Sequence, residues 1–442
     1  MNELSGQESR IQADKHRLEE LRAAKGKLGR EIAELRKAGQ DVARLTEEIR
    51  NLSDQIKQMQ KGIKKRLTAV SAPVEDISPG GVPEIPSPVL DRVASGPVFI
   101  RECFDSDLLK ESVDAYVEAH PAGTVWHTTA VNSFIADIYG HQTRYLCALD
   151  NDSRVVGVLP LVQLKSRLFG NFVSSVPYFN YGGVLADSTT VARELVEEAN
   201  AWRMSLGARH LELRHIQDVG IGLPQRRDKY TFWLPLPSEP SILWKSLAAK
   251  VRSQARRGER AIDEVVIGGV ELLDDFYRVF AHNMRDLGTP VCSKNFFRNL
   301  FETLSGRAWL VLVRLDGRAV GGAFLTGFRN TMEIPWASTL RNHNASGANM
   351  VMYWKVLEFA IQRNYSIFDF GRCSKGGGTW RFKQQWGGTP VPLAWDYLLS
   401  NGGSLPQLNP DNPRYRLLIA IWKHLPVWTT RMIGPGIVRS LP

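Results

Sequence analysis

Two successive stretches of this 442-residue chain, 97–240 and 241–400, carry the same order of segment types, and that repetition limits the fold more than any other feature. In the first, Val98–Arg101, Arg144–Leu149, Val155–Leu164 and His210–Arg214 have the length and apolar pattern of strands, while Asp107–Ala119 and Thr190–Leu206 have helical periodicity. In the second, Ser241–Arg257, Leu272–Leu287 and Ala348–Arg363 read as helices, and Trp309–Arg314, Ala319–Gly327, Thr331–Ser338 and Ile367–Phe370 as strands. Each half places helices first, then a strand pair joined by a tight turn (Asp150–Ser153, Asp316-Gly317), then a long helix leading into a short strand. The expectation is a duplicated α+β unit, argued from element order rather than sequence identity.

Residues 1–70 follow a different rule. Leu18, Leu21, Leu28, Ile32 and Leu35 fall at 3/4 spacing, and the pattern resumes after the KAGQD run with Val42, Leu45, Ile49, Leu52, Ile56, Met59 and Ile63. Gly39 suits a helix end and Asp41 an N-cap, so the break reads as the turn of an antiparallel coiled-coil hairpin; one continuous coiled coil that dimerises is the alternative. Residues 71–96 are rich in Pro, Gly and Ser and read as a linker, and 401–442 as a basic, aromatic tail.

The net charge is +10. Residues 1–70 carry +5, residues 250–260 carry +4 and residues 400–442 carry +4, so the remainder is slightly acidic. Such clustering suits a polyanion or a membrane surface, or else solvated faces. Cys103, Cys147, Cys292 and Cys373 show no CxxC spacing and no clustered His, which argues against a zinc or redox centre, so no metal is expected. With no apolar leader and no run of 18 apolar residues, the expectation is a cytoplasmic protein, with peripheral contact at the inner face of the membrane through the tail as an alternative.

The runs LPLVQLKSRLFGN, VPYFNYGGVLAD and LELRH in the first half, and NMRDLGTPV, MEIPWAS, NMVMYW, FDFGR and GTWRFKQQWGG in the second, closely resemble the FemAB-like proteins associated with exosortase/PEP-CTERM gene systems. The resemblance covers about residues 97–442 and implies two tandem GNAT-type acyltransferase domains. The wider Fem group moves an aminoacyl group from aminoacyl-tRNA to an amine of a cell-wall precursor, and this subfamily is linked to exopolysaccharide and envelope export. Residues 1–85, through the KAGQD turn, the flanking heptads and APVEDISPGGVPE, resemble the tRNA-binding arm of seryl-tRNA synthetases. The implied function is aminoacyl-tRNA-dependent transfer, with seryl-tRNA the first donor to test, to an amine or hydroxyl of an envelope or exopolysaccharide precursor. The alternatives are an N-acyltransferase using acyl-CoA or acyl carrier protein, and a non-catalytic scaffold. No resident cofactor is expected.

Arg22, Lys27, Arg30, Arg36, Lys37 and Arg44 could follow a tRNA backbone, or be solvated positions paired with neighbouring Glu residues. Arg252, Arg256, Arg257 and Arg260 form the densest internal charge, and Arg252, Arg256 and Arg260 share a helical face suited to phosphate. That run does not fit the R/Q-x-x-G-x-G/A loop of acyl-CoA enzymes. Asp369, between Phe368 and Phe370, must be paired if buried, with Arg372 or Arg381, or act as a base toward an attacking amine or hydroxyl. Lys383 could hold a phosphate or an oxyanion, and His215 could be a base or a structural residue. Tyr181, Arg285, Asp286, Tyr353, Trp354, Arg372 and Arg381 are further substrate-binding candidates. No nucleophile elbow or Ser/His/Asp order is present, which favours direct transfer.

Overall fold

The structure is a computed structural model that describes residues 14, 17–21, 23–29, 31–32, 34–35, 38, 40–70, 83–92, 96–400, 403–406 and 413–441. The chain divides into an N-terminal unit, Met1–Ile77, and a compact body, Ser78–Pro442.

In the N-terminal unit the helix Ala43–Val70 begins where the Asp41 carboxylate accepts the Ala43 N–H at 2.9 Å, the cap expected of an Asp before a heptad run. Described residues between 17 and 35 are helical as well, and a side chain at Gly29 would meet Ile49 at van der Waals distance. Lys27 and Arg44 are exposed. Arg22, Arg30, Arg36 and Lys37 lie outside the described residues.

The body is built on two mixed eight-stranded sheets. The strands are β1 (Phe99–Glu102), β2 (Thr143–Leu149), β3 (Val155–Ser166), β4 (Gly170–Ser174), β5 (Leu185–Ala186), β6 (His210–His215), β7 (Gln225–Arg226), β8 (Lys229–Pro235), β9 (Glu264–Gly268), β10 (Ala308–Leu315), β11 (Arg318–Phe328), β12 (Thr331–Thr339), β13 (Ile367–Asp369), β14 (Cys373–Ser374), β15 (Thr389–Pro392) and β16 (Ala394–Leu399). The first sheet runs β1-β2-β3-β4-β6-β16-β7 with β5 beside β3, and the second β14-β8-β13-β12-β11-β10-β9 with β15 beside β8. The sheets trade strands. β8 lies between β13 and β14/β15 in the second sheet, and β16 pairs with β6 in the first, so neither sheet is a consecutive stretch divided near residue 240.

Alternation along the strands makes the layers. On β10, Leu310 and Leu312 join a core with Phe276, Phe280, Phe296 and Phe297 of the helices Leu273–Leu287 and Lys294–Thr303. Val311 and Val313 face the opposite way, onto the helices Ala249–Ala261 and Ala348–Gln362. Val158 and Val162 of β3 belong to the same core as Leu310, whereas Leu159 and Leu161 pack on the helix Thr189–Ser205. One apolar core therefore spans both sheets.

Two expectations change. The helix read over Ser241–Arg257 is two, Pro240–Ser246 and Ala249–Ala261, because Leu247 and Ala248 take extended ψ values between them. The described part of the linker, Pro83–Arg92, is docked rather than free: Val89 bridges Ala186 in parallel, Leu90 N–H donates to the Ala186 carbonyl, and the Gln217 side chain donates to the Ile85 carbonyl at 2.6 Å. All four cysteines are buried free thiols. No helix among the described residues is long and apolar enough to cross a membrane.

Candidate active site

β12 and β13 are parallel neighbours for three residues only, Thr331 with Ile367, Met332 with Phe368 and Glu333 with Asp369. Beyond that last pair β12 continues against β11 alone and β13 ends. Two carboxylates therefore sit side by side where the sheet opens, because residues in register on adjacent strands project to the same face. Both line a cavity of about 720 Å³ together with Tyr181, Trp233, Ile216, Phe328, Arg329 and the docked segment that starts at Pro83.

Asp369 is 2% exposed, yet its partners are neutral. One carboxylate oxygen accepts from the Tyr181 hydroxyl at 2.6 Å and the Trp233 indole N–H at 2.9 Å; the other accepts from Thr231 Oγ1 at 2.5 Å and the Gly371 N–H at 2.7 Å. The salt bridge to Arg372 or Arg381 that would have made Asp369 a structural residue is not among its contacts. Glu333 accepts from the Trp126 indole N–H at 2.7 Å and the Asn180 amide at 2.5 Å. Trp126 is fixed by stacking on Phe179 at 4.0 Å between ring centroids.

Two like charges in one dry site cannot both ionise cheaply. Burial first, and then the neighbouring Asp369, push Glu333 up to about 8. Burial raises Asp369 as well, while its four hydrogen bonds pull the other way. Burial thus favours the protonated, neutral form of both carboxyls.

Gly371 follows Asp369 at φ 73, and a Cβ there would come within 3.3 Å of the Asn180 amide and of the Ile334 carbonyl. Only glycine combines that left-handed backbone with the close approach. Lys383 holds the turn from beneath: its ammonium donates to the Gly371 carbonyl at 2.5 Å and the Arg372 carbonyl at 3.1 Å. Burial lowers it to about 8.

The other expected residues distribute as follows. Tyr181 joins the carboxylates. His215 is not among the residues lining this cavity: its Nδ1 lies 2.7 Å from the Asp396 carboxylate and its Nε2 accepts the Val184 N–H at 2.9 Å, so both ring nitrogens are used and the residue ties β6 to β16. Arg372 stacks its guanidinium on Trp395 at 4.9 Å, with Arg214 over the same ring at 4.6 Å. Burial, and then Arg214, lower Arg372 to about 10. Arg381 is exposed on the helix Gly378–Gln385.

Tyr353 and Trp354 are core residues away from the cavity; Tyr353 packs on Phe370 and Phe382, and Trp354 on Trp244. Arg285 and Asp286 bind each other at 2.7 Å, and Arg285 donates to the Leu425 carbonyl of the C-terminal helices. Arg252 donates to the Lys245 carbonyl, Arg256 lies over Trp244, and Arg257 donates to the Ala345 carbonyl; Arg256, Arg257 and Arg260 are exposed. None of the four lines the cavity. The helix is unbroken through Gly258, whose Cα packs on Gly347, so the run forms no phosphate-cradling loop.

Glu333, Trp126, Asn180, Thr231 and Trp233 are absent from the sequence reading. The one signal available was an acid inside the apolar strand MEIPWAS, which already stood among the family-like motifs.

The stretch that carries both carboxylates is of acyltransferase type. Residues 245–384 match the acetyltransferase (GNAT) domain model. Among solved structures, FemX is 16% identical with a TM-score of 0.51, covering 70% of this chain and 98% of that one, which shows a shared fold. A tandem GNAT protein from the clavulanic acid biosynthesis pathway is 11% identical at a TM-score of 0.46 (70% and 100% covered). L-PGS from Bacillus licheniformis is 12% identical at 0.44 (73% and 96% covered). The search of curated proteins finds no match.

Proposed function

We propose that this acyltransferase moves an aminoacyl group from aminoacyl-tRNA to an amine or hydroxyl of a cell-envelope or exopolysaccharide precursor, with the Glu333–Asp369 pair as proton acceptor. The observation that carries this reading is the buried, in-register carboxylate pair facing a cavity of about 720 Å³ at the opening of the sheet. Aminoacyl-tRNA is an activated ester, so the protein must align the nucleophile, take one proton and steady the oxyanion. The acceptor nitrogen or oxygen attacks the ester carbonyl and gives its proton to the pair. The carbonyl–acceptor bond forms, the bond to the tRNA ribose oxygen breaks, and that oxygen leaves with the proton the pair gives back. The Gly371 turn, held by Lys383, sets the carboxylate's position.

Donor choice rests on the N-terminal unit. Its heptads, the +5 charge of residues 1–70 and its likeness to a seryl-tRNA synthetase arm support an antiparallel coiled-coil arm that lies along tRNA, with seryl-tRNA the first candidate. The exposed Arg256, Arg257 and Arg260 support a second phosphate contact. The resemblance of the motifs in residues 97–442 to the exosortase/PEP-CTERM-associated subfamily supports the envelope acceptor and a cytoplasmic site of action.

The test is an assay of purified protein with a pool of labelled aminoacyl-tRNAs and envelope extract, followed by identification of the labelled product. Transfer from tRNA that vanishes in Asp369→Asn supports the reading. Tight binding of acyl-CoA with no retardation of tRNA at any salt concentration would sink it.

A further inference from the structure

The C-terminal helices Pro413–His424 and Val427–Val438 play no part in the carboxylate site, yet they are anchored firmly by one face. Gly434 lies against the Val291 backbone so closely that a Cβ would stand 2.9 Å from the Val291 nitrogen, and Ile419 packs over Gly288. Arg285 donates to the Leu425 carbonyl at 2.9 Å, and Arg439 donates to the Tyr139 carbonyl at 2.9 Å while its own carbonyl accepts from Tyr178 at 2.7 Å. Thr430 and Val438 are buried along that face.

The opposite side is apolar and open. Leu418 is 57% exposed, Ile421 52%, Trp428 67% and Met432 68%. Leu418 and Ile421 are three residues apart on the first helix, Trp428 and Met432 four apart on the second, so each pair shares a helix face. Four large side chains at this level of exposure on adjoining helices are unusual for a folded surface and mark a contact site. Fraying does not account for it, since the buried face of the same helices is held by small residues and backbone hydrogen bonds.

Charge selects the occupant. Residues 412–442 contain Arg414, Arg416, Lys423, Arg431 and Arg439 and no Asp or Glu. The acids on the helix beneath are all ion-paired: Asp286 with Arg285, Asp275 with Arg278 and Arg314, and Asp274 with Lys294. A protein partner would more often meet apolar side chains with mixed charge, whereas an aromatic, a methionine and aliphatics on a segment whose charged residues are all cations fit an anionic bilayer: the apolar groups enter the acyl boundary and cations such as Lys423 meet headgroup phosphates. We propose that this two-helix face docks the protein on an anionic lipid surface.

Sedimentation of the full chain with vesicles of phosphatidylcholine, alone or with 30% phosphatidylglycerol by design, at about 0.1 M salt, tests this. The expected result is binding to the anionic vesicles only, weakened by salt, and reduced roughly tenfold or more in the double variant Trp428→Ser, Met432→Ser. Because both side chains are exposed, that variant keeps the circular dichroism and melting temperature of the parent, which separates lost docking from lost folding. Lys423→Glu gives an independent reading, since it reverses one charge and leaves the apolar groups in place; weaker binding is expected. Failure of the parent chain to bind anionic vesicles overturns the proposal, as does binding that the double variant leaves unchanged. A concentration-dependent dimer abolished by Trp428→Ser, with no vesicle binding, would assign the face to a second copy instead.

Discussion

At the scale of single residues, the proposed reaction makes the carboxylate pair the expected determinant of both rate and pH response. Asp369→Asn keeps the shape and removes the charge, so turnover is expected to fall by about 10²–10⁴-fold, the usual share of a general base. Retardation of tRNA is expected to stay as it is, because no cation of the helix Ala249–Ala261 lines the cavity. Glu333→Gln separates the two roles. With Glu333 raised to about 8, activity is expected to climb as pH rises through that value, and the variant is expected to lose or shift this limb. The sign for stability is the opposite. Glu333 binds its proton more tightly when folded, so between the ordinary value of 4.5 and about 8 the folded state holds more protons than the unfolded chain. Stability therefore falls as pH rises across that window, and the melting temperature of Glu333→Gln is expected to fall less steeply over the same range. Asp369 was legible as an acid flanked by Phe368 and Phe370; Glu333 was not, because its meaning depends on the parallel register between β12 and β13, which no local pattern encodes.

At the scale of elements, a glycine joins two helices. Gly258, in the last turn of the helix Ala249–Ala261, faces Gly347, and a Cβ on Gly258 would lie 2.7 Å from the Gly347 carbonyl oxygen and 2.9 Å from Val351 Cβ. Backbone cannot retreat as a side-chain tip can. Gly258→Leu is expected to destabilise the body by about 1–3 kcal/mol, as overpacking usually does. Calorimetry checks this, and Ser253→Leu on an exposed position of the same helix provides the contrast with little change expected. Helices with a clear 3.6 period, such as Asp107–Ala119 and Leu273–Leu287, were legible nearly to the residue. The strands β8 and β16 were not, since KYTFWLP and AWDYLL have strand composition but partners more than 130 residues away in sequence. The helix Thr129–Tyr139 was hidden for another reason: it buries Val131, Phe134, Ile135 and Tyr139 while also burying Thr129 and Asn132, which blurs its apolar stripe.

At the scale of the whole molecule, strand exchange and the shared core make the two halves one folding unit. β8 enters the second sheet from the first half, β16 returns to the first sheet from the second, and aromatic residues from both halves meet in one cluster, where Phe134 packs on Phe296 at 5.2 Å between centroids. Removing either exchanged strand would leave a long sheet edge unpaired and open the core along it. The body is therefore expected to melt in a single calorimetric transition with calorimetric and van't Hoff enthalpies in agreement, and a chain ending at residue 385 is expected to lose both sheets rather than the second alone. The N-terminal unit stands apart in this respect, because Met1–Ile77 forms a separate unit by its contacts while Pro83–Arg92 is already tied to the body. A chain beginning at Ser78 is expected to keep the melting temperature of the full body to within about 2 °C, the shift of a perturbation well under 1 kcal/mol in a domain of this size. The same deletion is expected to abolish tRNA retardation, so one variant separates recognition of the donor from integrity of the catalytic body. A drop of many degrees would show that the arm is part of the body's fold, and the division of labour between the two units would have to be redrawn.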